Sequence, residues 1–454
     1  MGGSLLRVVC GCADFLHRGA CVAGVIRLSA VRPLRQHAEL TFKQNRQHGR
    51  HGWLRLTPAY SVRLVEQILE ECAEHADVVF DPFSGTGTTA LCAAYRGRRG
   101  VATDINPFLI WLARAKASAY DSAVIESFEA AARLAAHAVA SGNGPLAECP
   151  PLSNIERWWR PAALTFLRRL KAALHAREAG ERMPVGTATL LRVAFCRTMM
   201  KLSNAAFNHQ SMSFRTGVSG TVARITPADE QLELATFAAQ FLSDVGQVAA
   251  GAADNPAGAA EYVLADARDC EIAPLRQWRN RVDLLITSPP YPNRMSYIRE
   301  LRPYMYWLGF LSTGRQAGEL DWSAVGGTWG VATSRLSQWA PCGKFIPPSL
   351  QAVLKKIRAA NAENGTLLAN YVHKYFEDML EHLFAMVVML KPGGTAHYII
   401  GNSIFYGHEV AAEQFLAEQM AVAGLCDVRI VPLRRRNSKG GLVEFRVSAR
   451  RGPV

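Results

Sequence analysis

Long apolar runs are missing from this sequence. No stretch of eighteen or more uncharged apolar residues occurs, which excludes a membrane-spanning helix. The apolar fraction of 49% and the charged fraction of 20% nevertheless fit a folded globular protein. A chain of 454 residues exceeds the usual single domain, so we expect one large core with inserted segments.

Paired cysteine spacings are missing as well. The ten cysteines are scattered along the chain, which excludes a disulfide framework and fits a reducing, cytoplasmic compartment. The tightest group consists of Cys10, Cys12, His17 and Cys21, but its first gap is short for a zinc knuckle. We therefore expect no metal site.

Acidic residues are scarce at the two ends of the chain. Residues 1–60 hold nine Arg or Lys against two acids, and residues 427–454 hold eight against two. These two segments account for the whole net charge of +13. A positive field confined in this way fits a phosphate-backbone partner, although solubility alone explains it equally well. Residues 1–40 are interpreted as a basic, poorly ordered tail.

Strand and helix patterns alternate in the first half of the chain. An apolar run at 77–81 precedes a glycine-rich turn and a helix over 88–95. A second strand at 99–103 then precedes a helix over 107–118. This alternation predicts a parallel sheet with right-handed crossovers.

Two segments interrupt the alternation. Residues 121–255 are Ala-rich and helical in pattern, with a linker over 249–260, whereas residues 311–370 show little periodicity. Sheet-like runs return at 262–265, 282–287, 395–400, 427–431 and 442–447, with a helix over 375–390. The prediction is a catalytic domain built from three separate segments (41–120, 261–310 and 371–454). A helical insertion (121–260) and a loop-rich segment that contributes to target recognition (311–370) lie between them.

The segment 81–88 has the features of a cofactor turn. It reads Asp-Pro-Phe-Ser-Gly-Thr-Gly-Thr where a strand meets a helix. Gly85 and Gly87 allow backbone conformations and close ligand approach that a side chain would block, and the helix N-terminus offers free N–H groups. Asp104 ends the next strand, where an acid can bind ribose hydroxyls.

A second motif closes the strand over 282–287. It consists of Ser288, Pro289, Pro290 and Tyr291. Two prolines stiffen the backbone and remove two N–H donors, leaving carbonyl and hydroxyl acceptors beside an aromatic ring. Such acceptors can hold the hydrogens of an exocyclic amine and direct its lone pair at an electrophile, while the ring stacks on a base rotated out of a duplex.

Taken together, these motifs resemble those of the amino-group DNA methyltransferases. The resemblance implies a Rossmann-like class I methyltransferase fold with a mixed seven-stranded sheet, its last strand antiparallel, and S-adenosylmethionine as cofactor. It also implies that the segment 55–61 closes over the methionine end of the cofactor and that the acid after the strand at 262–265 contacts its adenine. The cofactor residues implied or interpreted in this way are Thr57, Pro58, Tyr60, Asp81, Pro82, Phe83, Gly85, Gly87, Thr88, Asp104, Ile105, Asp266 and Ala267.

Within that family a leading Ser in the second motif is associated with cytosine N4, and a leading Asp or Asn more often with adenine N6. The continuation Pro292-Asn-Arg-Met-Ser-Tyr297 also resembles the N4-cytosine members. The resemblance therefore favours N4 methylation of cytosine in double-stranded DNA. Adenine N6, guanine N2 of RNA and a catalytically silent nucleic-acid-binding subunit remain alternatives, as does a thiolate mechanism at Cys342.

Charged and aromatic residues suggest where DNA binds. Arg294 follows the second motif, and Arg434, Arg435, Arg436 and Lys439 crowd one hairpin, where four positive charges are costly without phosphates. Aromatic and basic residues at 158–171, and loops at 203–215 and 326–330, are further recognition candidates. A companion restriction endonuclease would suit such an enzyme.

Overall fold

The computed structural model describes residues 5–7, 25–28, 38–56, 60–72, 76–180, 183–206, 213–215, 227–436 and 441–453. Thr57, Pro58 and Lys439, which the sequence assigned to the site, lie outside these ranges, as does the group Cys10, Cys12, His17 and Cys21.

Nine of the strands that these residues form belong to one sheet. In chain order the strands are β1 (Leu5–Arg7), β2 (Val25–Leu28), β3 (Val78–Asp81), β4 (Arg99–Asp104), β5 (Ala205–Ala206), β6 (Ser213–Phe214), β7 (Ala260–Leu264), β8 (Val282–Thr287), β9 (Leu390–Gly401), β10 (Ser403–Phe405), β11 (His408–Val410), β12 (Leu425–Arg435) and β13 (Val443–Arg451). The pairs β5–β6 and β10–β11 are separate hairpins.

The large sheet has the order β1-β2-β12-β13-β9-β8-β3-β4-β7. Its seven strands from β12 to β7 are parallel except for β13, which runs antiparallel to β12 and β9. The predicted Rossmann-like fold with a mixed seven-stranded sheet is thus confirmed. Strands β1 and β2, from the segment interpreted as a poorly ordered tail, extend the sheet beyond β12, where an edge strand would otherwise leave its backbone unpaired.

Helices cover both faces of the sheet. In chain order they are α1 (Val62–Glu71), α2 (Thr88–Tyr95), α3 (Pro107–Ala117), α4 (Ser122–Ala140), α5 (Ile155–Trp158), α6 (Pro161–Gly180), α7 (Val185–Lys201), α8 (Pro227–Ala252), α9 (Ala273–Arg276), α10 (Tyr297–Trp307), α11 (Gly314–Ser323), α12 (Val331–Gln338), α13 (Pro348–Ala360), α14 (Gly365–Met389) and α15 (Ala412–Val422). Val79 of β3 packs with α1 on one face, and its neighbour Phe80 packs with α14 on the other. Among the described residues, no helix combines the length and apolarity needed to span a membrane.

The predicted helical insertion consists mainly of α4, α6, α7 and α8, packed against one another. Helix α8 continues to Ala252, so the prediction of a linker from residue 249 is wrong at its start. The small residues there pack closely: a Cβ on Gly251 would lie 2.5 Å from Trp53 Nε1. Low side-chain volume reflects tight contact here and not a flexible connection.

One arginine joins the two ends of this insertion. The guanidinium of Arg50, 0% exposed, donates to the carbonyls of Lys116 and Ser118 before the insertion, and to those of Gly251 and Ala252 at its end. Asn255 pairs with both the backbone N–H and the carbonyl of Tyr120. Burial lowers the pKa of Arg50, and the many carbonyl partners offset the cost of burying its charge.

The segment 311–370 is helical, which corrects the prediction of a loop-rich excursion. It contains α11, α12 and α13 and the start of α14. Helix α11 begins at a capping box of Thr313 and Gln316, and α13 buries Leu350, Leu354 and Ile357 at helical spacing. The helices are short, so each supplies few periodic positions for recognition in the sequence.

Candidate active site

The glycine turn after β3 is held by the acid at the end of β4. Gly85 has a left-handed φ of +51°, and its N–H donates to Asp104 Oδ2 over 2.9 Å. The other oxygen, Asp104 Oδ1, accepts from the N–H of Asn106 over 2.8 Å. Burial raises the pKa of Asp104 to about 7. Gly85, Asp104 and Ile105, which the sequence assigned to the cofactor, line one cavity.

Gly87 and Thr88, which the sequence also assigned to the cofactor, are not among the residues that line this cavity. A Cβ on Gly87 would lie 2.8 Å from Ala113 Cβ, so this glycine lets α2 approach α3. Thr88 is buried inside the fold. Sequence reasoning missed Lys116, whose buried amine donates to the Thr86 carbonyl over 3.0 Å and supports the turn from behind.

Asp81 also stands behind the cavity, not in its lining. Its Oδ1 accepts from the N–H of Phe83 over 3.1 Å and from the Thr287 hydroxyl over 2.6 Å. Burial raises the pKa of Asp81 to about 6. The carboxyl therefore joins the end of β3 to the end of β8, and so aligns the two sequence motifs.

The acid after β7 lies in the cavity wall. Asp266 and Ala267 line it, and Arg268 forms a two-pronged ion pair with Asp266, with distances of 2.9 and 2.6 Å. Burial alone would raise the pKa of Asp266, but the Arg268 guanidinium outweighs it and lowers the pKa. Arg268 also bonds to Asp378 of α14 over 2.8 Å. Asp266 is thus kept ionised.

A buried histidine supports this wall. His382 Nδ1 lies 2.9 Å from the Ala267 carbonyl, and Nε2 lies 2.8 Å from the Tyr398 hydroxyl. Since a carbonyl can only accept, Nδ1 carries the hydrogen and Nε2 accepts from Tyr398. Burial lowers the pKa of His382 to about 4, so the ring is neutral. It packs 4.7 Å from Phe83 between ring centroids, and no local motif revealed this long-range contact in the sequence.

Tyr60 closes another side of the cavity. Its hydroxyl contacts Thr89 and donates to Asp81 Oδ2 over 3.4 Å. Burial raises the pKa of Tyr60 well above its ordinary value. Pro82 and Phe83 line the same cavity, whose volume is about 280 Å³.

The whole Ser-Pro-Pro-Tyr motif lines this cavity together with the cofactor residues. The Ser288 hydroxyl donates to the Ile399 carbonyl over 3.1 Å, which leaves its oxygen as an acceptor. The Pro290 carbonyl accepts from the Tyr375 hydroxyl over 2.8 Å. Both contacts fix the stiff backbone after β8 against neighbouring elements.

Tyr291 belongs to a charged network that the sequence did not predict. Its hydroxyl donates to Glu444 Oε1 over 2.7 Å, and Arg434 Nε donates to Glu444 Oε2 over 2.8 Å. The Arg436 guanidinium lies 5.2 Å from the centre of the Tyr291 ring. Burial and the Glu444 charge raise the pKa of Tyr291 well above its ordinary value. Arg434, Arg436 and Glu444 all line the cavity.

These contacts correct the view of a uniform phosphate-binding hairpin. Arg434 is paired with Glu444 inside the cavity, and only Arg435 of the three described arginines is exposed. Arg294 is exposed as well, with its backbone at a φ of +60° and its N–H donating to the Tyr371 hydroxyl.

The other recognition candidates divide into two groups. Gly326 and Gly327 line the cavity, next to Asp321. Trp158 and Trp159 are buried in the core of the insertion, so their aromatic rings serve packing. Within the described residues, 203–206 and Arg215 do not line the cavity either, and no group of three or more possible metal ligands occurs there.

The residues present fit S-adenosylmethionine. Two carboxyl groups, on Asp104 and Asp266, face one cavity whose walls include the apolar side chains of Phe83 and Ile105. Carboxylates suit ribose hydroxyls and an adenine amine, and apolar walls suit the adenine ring. Gly85 itself adds no side chain to this space.

Comparisons with known proteins agree with this site. A family model described as DNA methylase, of the N6/N4 type, matches residues 33–114, a range that includes Gly85 and Asp104. The Type II methyltransferase M.BsoBI of Geobacillus stearothermophilus is 33% identical over 69 residues, which cover 15% of this chain and 14% of that protein. The match thus spans about one seventh of that relative.

Among solved structures, the rRNA methyltransferase aviRa from Streptomyces viridochromogenes is 13% identical over 87% of this chain and 86% of its own, with a TM-score of 0.26. A second structure of it is 12% identical, with a TM-score of 0.25. This likeness is too distant to bear on the substrate. The family match over residues 33–114 and the strand order agree with the resemblance of the sequence motifs to the amino-group DNA methyltransferases, for which S-adenosylmethionine is the methyl donor.

Proposed function

We propose that this protein transfers a methyl group from S-adenosylmethionine to the exocyclic N4 of a cytosine rotated out of double-stranded DNA. The observation that carries the proposal is the shared cavity: Gly85, Asp104 and Asp266 line it together with Ser288 and Tyr291. The hydrogen bond from Thr287 to Asp81 fixes the relative position of the two motifs.

In this proposal the cofactor is held by three groups. Asp104 accepts from the ribose hydroxyls, Asp266 accepts from the adenine amine, and Phe83 with Ile105 contacts the adenine ring. When bound, the cofactor would supply an electrophilic methyl group for transfer to the base nitrogen, which would lose one of its protons in exchange.

The Ser-Pro-Pro-Tyr motif positions the base. The Ser288 oxygen and the neighbouring carbonyls accept the amine hydrogens, which weakens conjugation of the nitrogen lone pair with the ring. Tyr291 contacts the face of the base, and its bond to Glu444 fixes the ring. Because two prolines prevent the backbone from adjusting, little reorganisation is needed at the moment of transfer.

DNA binding is proposed for the exposed basic residues Arg294 and Arg435, with Lys439 nearby in sequence. Their charges would neutralise phosphates and give a salt-dependent affinity without sequence preference. Residues near Gly326 and Gly327 are proposed to contact the target site, because they share the cavity with the motif. A companion restriction endonuclease, as expected for a Type II system, belongs to the same proposal.

The leading Ser288 favours cytosine N4 over adenine N6, which is the second candidate reaction. Incubating the protein with labelled S-adenosylmethionine and mixed-sequence DNA, digesting the DNA to nucleosides and identifying the product by mass spectrometry separates the two. We expect N4-methylcytosine from the native protein and none from Ser288→Ala, because the Ser288 oxygen accepts an amine hydrogen in this proposal. N6-methyladenine would overturn the N4 assignment.

The remaining alternatives have distinct outcomes in the same assay. Methyl transfer to guanine of RNA and not to DNA would identify an RNA enzyme, and cofactor binding without transfer would identify a silent subunit. Cys342, whose N–H bonds to Glu377, is exposed and outside the cavity. A Cys342→Ala variant is therefore expected to keep its activity, contrary to a thiolate mechanism.

A further inference from the structure

Arg436 lines the cavity at a position where the backbone of a neighbouring strand leaves space for its side chain. Its guanidinium rests against the Tyr291 ring, and its Nη1 donates to the Asn402 carbonyl over 3.2 Å. A Cβ on Gly401 would lie 2.9 Å from Arg436 Nη1 and 3.0 Å from the Tyr291 ring. Glycine at 401 therefore creates the space in which the two side chains meet.

The charge of Arg436 is not matched by a carboxylate. Glu444, the nearest acid of the network, is already bound by Arg434 and by the Tyr291 hydroxyl. Among the residues that the structure describes, no carboxylate oxygen forms an ion pair with Arg436. A guanidinium has five N–H donors, so most of them are available to a ligand in this cavity. A half-buried cation with spare donors favours a ligand that presents acceptors.

A flipped cytosine presents such acceptors. Next to its amine, N3 and O2 form two adjacent acceptors, which match the fork of a guanidinium. Adenine offers N1 beside its amine and then a C–H group, so only one of two hydrogen bonds could form. We propose that Arg436 binds the N3 and O2 edge of the target cytosine and thereby selects cytosine over adenine; this rests on the proposed function.

Glu444 is the positioning residue for this recognition. It pairs with Arg434 directly across strands β12 and β13 and fixes the Tyr291 hydroxyl. With its carboxylate satisfied, Glu444 does not draw Arg436 away from the base. The ring of Tyr291 and the fork of Arg436 then contact two different regions of one base, its face and its edge.

The test uses a duplex oligonucleotide with the target site, located by sequencing the methylated positions in DNA treated with the native protein. One duplex carries cytosine at the target and the other carries 3-deazacytosine, which keeps the amine and O2 but replaces N3 with C–H. We measure kcat/KM for the native protein, Arg436→Met, Arg436→Lys and the control Arg429→Met. Arg429 is exposed on the same strand and far along it from the cavity.

For the native protein we expect the analogue to lower kcat/KM by about ten- to hundredfold, the usual discrimination by a two-pronged contact. Arg436→Met should lower kcat/KM on the cytosine duplex by a similar factor and should no longer distinguish the two duplexes. Arg436→Lys should restore only a fraction of the difference in kcat/KM between the cytosine and 3-deazacytosine duplexes. Comparing the ratios cancels the intrinsic change in reactivity of the analogue. Arg429→Met should behave as the native protein does.

Three outcomes overturn the proposal. If Arg436→Met lowers kcat/KM by the same factor on both duplexes, Arg436 does not bind the base edge, although the proposed methylation stands. If Arg436→Met weakens binding of all DNA and lowers the salt dependence, Arg436 contacts a phosphate. If the native protein forms no N4-methylcytosine in any DNA, the proposed function fails and the selection of cytosine fails with it. Unchanged binding of S-adenosylhomocysteine by each variant shows that it is folded.

Discussion

The Tyr291 hydroxyl lies 2.7 Å from Glu444 Oε1 and donates its hydrogen to that carboxylate. This bond connects the end of the Ser-Pro-Pro-Tyr motif to β13, the antiparallel strand of the sheet. Glu444 is only 7% exposed, so water competes little for the bond. The orientation of the aromatic ring in the cavity is therefore set by a strand distant in sequence.

Replacing Tyr291 with Phe tests this orientation. A hydrogen bond to a charged group contributes about 1.5–3 kcal/mol, and Glu444 keeps its ion pair with Arg434 in the variant. We expect kcat/KM for DNA to fall roughly tenfold and the thermal midpoint to fall by about a few degrees. Tyr406→Phe removes the same atom from a residue that is 43% exposed and outside the cavity, and it should be neutral. A Tyr291→Phe enzyme with native kcat/KM would show that the bond is irrelevant to transfer.

The raised pKa of Asp104 predicts that the affinity for the cofactor depends on pH. Its carboxyl has a pKa raised to about 7 by burial, and ribose hydroxyls need the ionised form as acceptor. The dissociation constant for S-adenosylhomocysteine, measured by calorimetry, should therefore rise as the pH falls below 7, by up to about tenfold per pH unit for one proton. Asp104→Asn should bind weakly at every pH, with a flat profile. A native profile that is flat between about pH 5.5 and 8.5 would contradict this role.

The raised pKa of Asp104 also affects the stability of the ligand-free protein, but in the opposite direction: stability falls as the pH rises, whereas cofactor affinity increases. A carboxyl with a raised pKa is bound to its proton more tightly in the folded state, so its stabilising contribution is present at low pH and is lost as the pH rises through about 7. The Asp104→Asn amide has one oxygen for the two N–H groups of Gly85 and Asn106, so its midpoint carries a constant offset. The thermal midpoint of the ligand-free native protein should therefore fall relative to that of Asp104→Asn as the pH rises from about 5 to about 8, and a constant difference between the two would contradict the raised pKa.

Gly87 and Gly97 form a matched pair for testing backbone packing. Both have positive φ, +82° and +72°, so alanine strains either position by about 1–2 kcal/mol. Only at Gly87 would the new Cβ lie 2.8 Å from Ala113 Cβ, since nothing lies within 4 Å at Gly97. Urea unfolding should show a larger loss of stability for Gly87→Ala. Equal losses would mean that the close approach of α2 and α3 is readily relieved.

Arg50→Met should destabilise the protein by roughly 2–5 kcal/mol, because several buried carbonyls lose their donor at a cost of about 1–3 kcal/mol each. The variant leaves the carbonyls of Lys116 and Gly251 without their donor. Arg133→Met, at an arginine that is 63% exposed, should change stability by less than about 0.5 kcal/mol. Unfolding in guanidinium chloride, followed by tryptophan fluorescence, gives the free energy of unfolding of each variant. Similar losses for Arg50→Met and Arg133→Met would show that Arg50 does not hold the two ends of the insertion together.

The elements of the fold that could be predicted are those with local signals. Helix α2 was predicted over 88–95 and strand β8 over 282–287, as observed, because glycine and proline mark their ends and apolar runs fill them. The same signals identified Gly85, Asp104 and Ser288. The helices of 311–370 were missed since each shows its periodicity over too few residues.

The features that could not be predicted depend on pairing between distant strands. Whether Arg434 points into the cavity depends on an irregularity in β12 between Pro432 and Arg434, and a shift of one residue reverses the faces of a strand. The partner of Arg434, Glu444, lies on the next strand. Likewise, the contact of Asp81 with Thr287 joins two motifs that are far apart in the chain, so the sequence alone assigned Asp81 to the ligand.

Tyr120 and Asn255 are hydrogen-bonded to each other. A short loop between these two residues could therefore replace the helical insertion without altering the strand order. Such a shortened protein would still lack part of its core, because Trp159 and Phe195 of the insertion pack edge-to-face against Trp307 of α10. Tyr297 and Ile298, at the start of that same helix, belong to the cavity wall. The insertion therefore supports the helix that lines the cavity, and we expect substitutions in the core of the insertion to change the shape of that cavity.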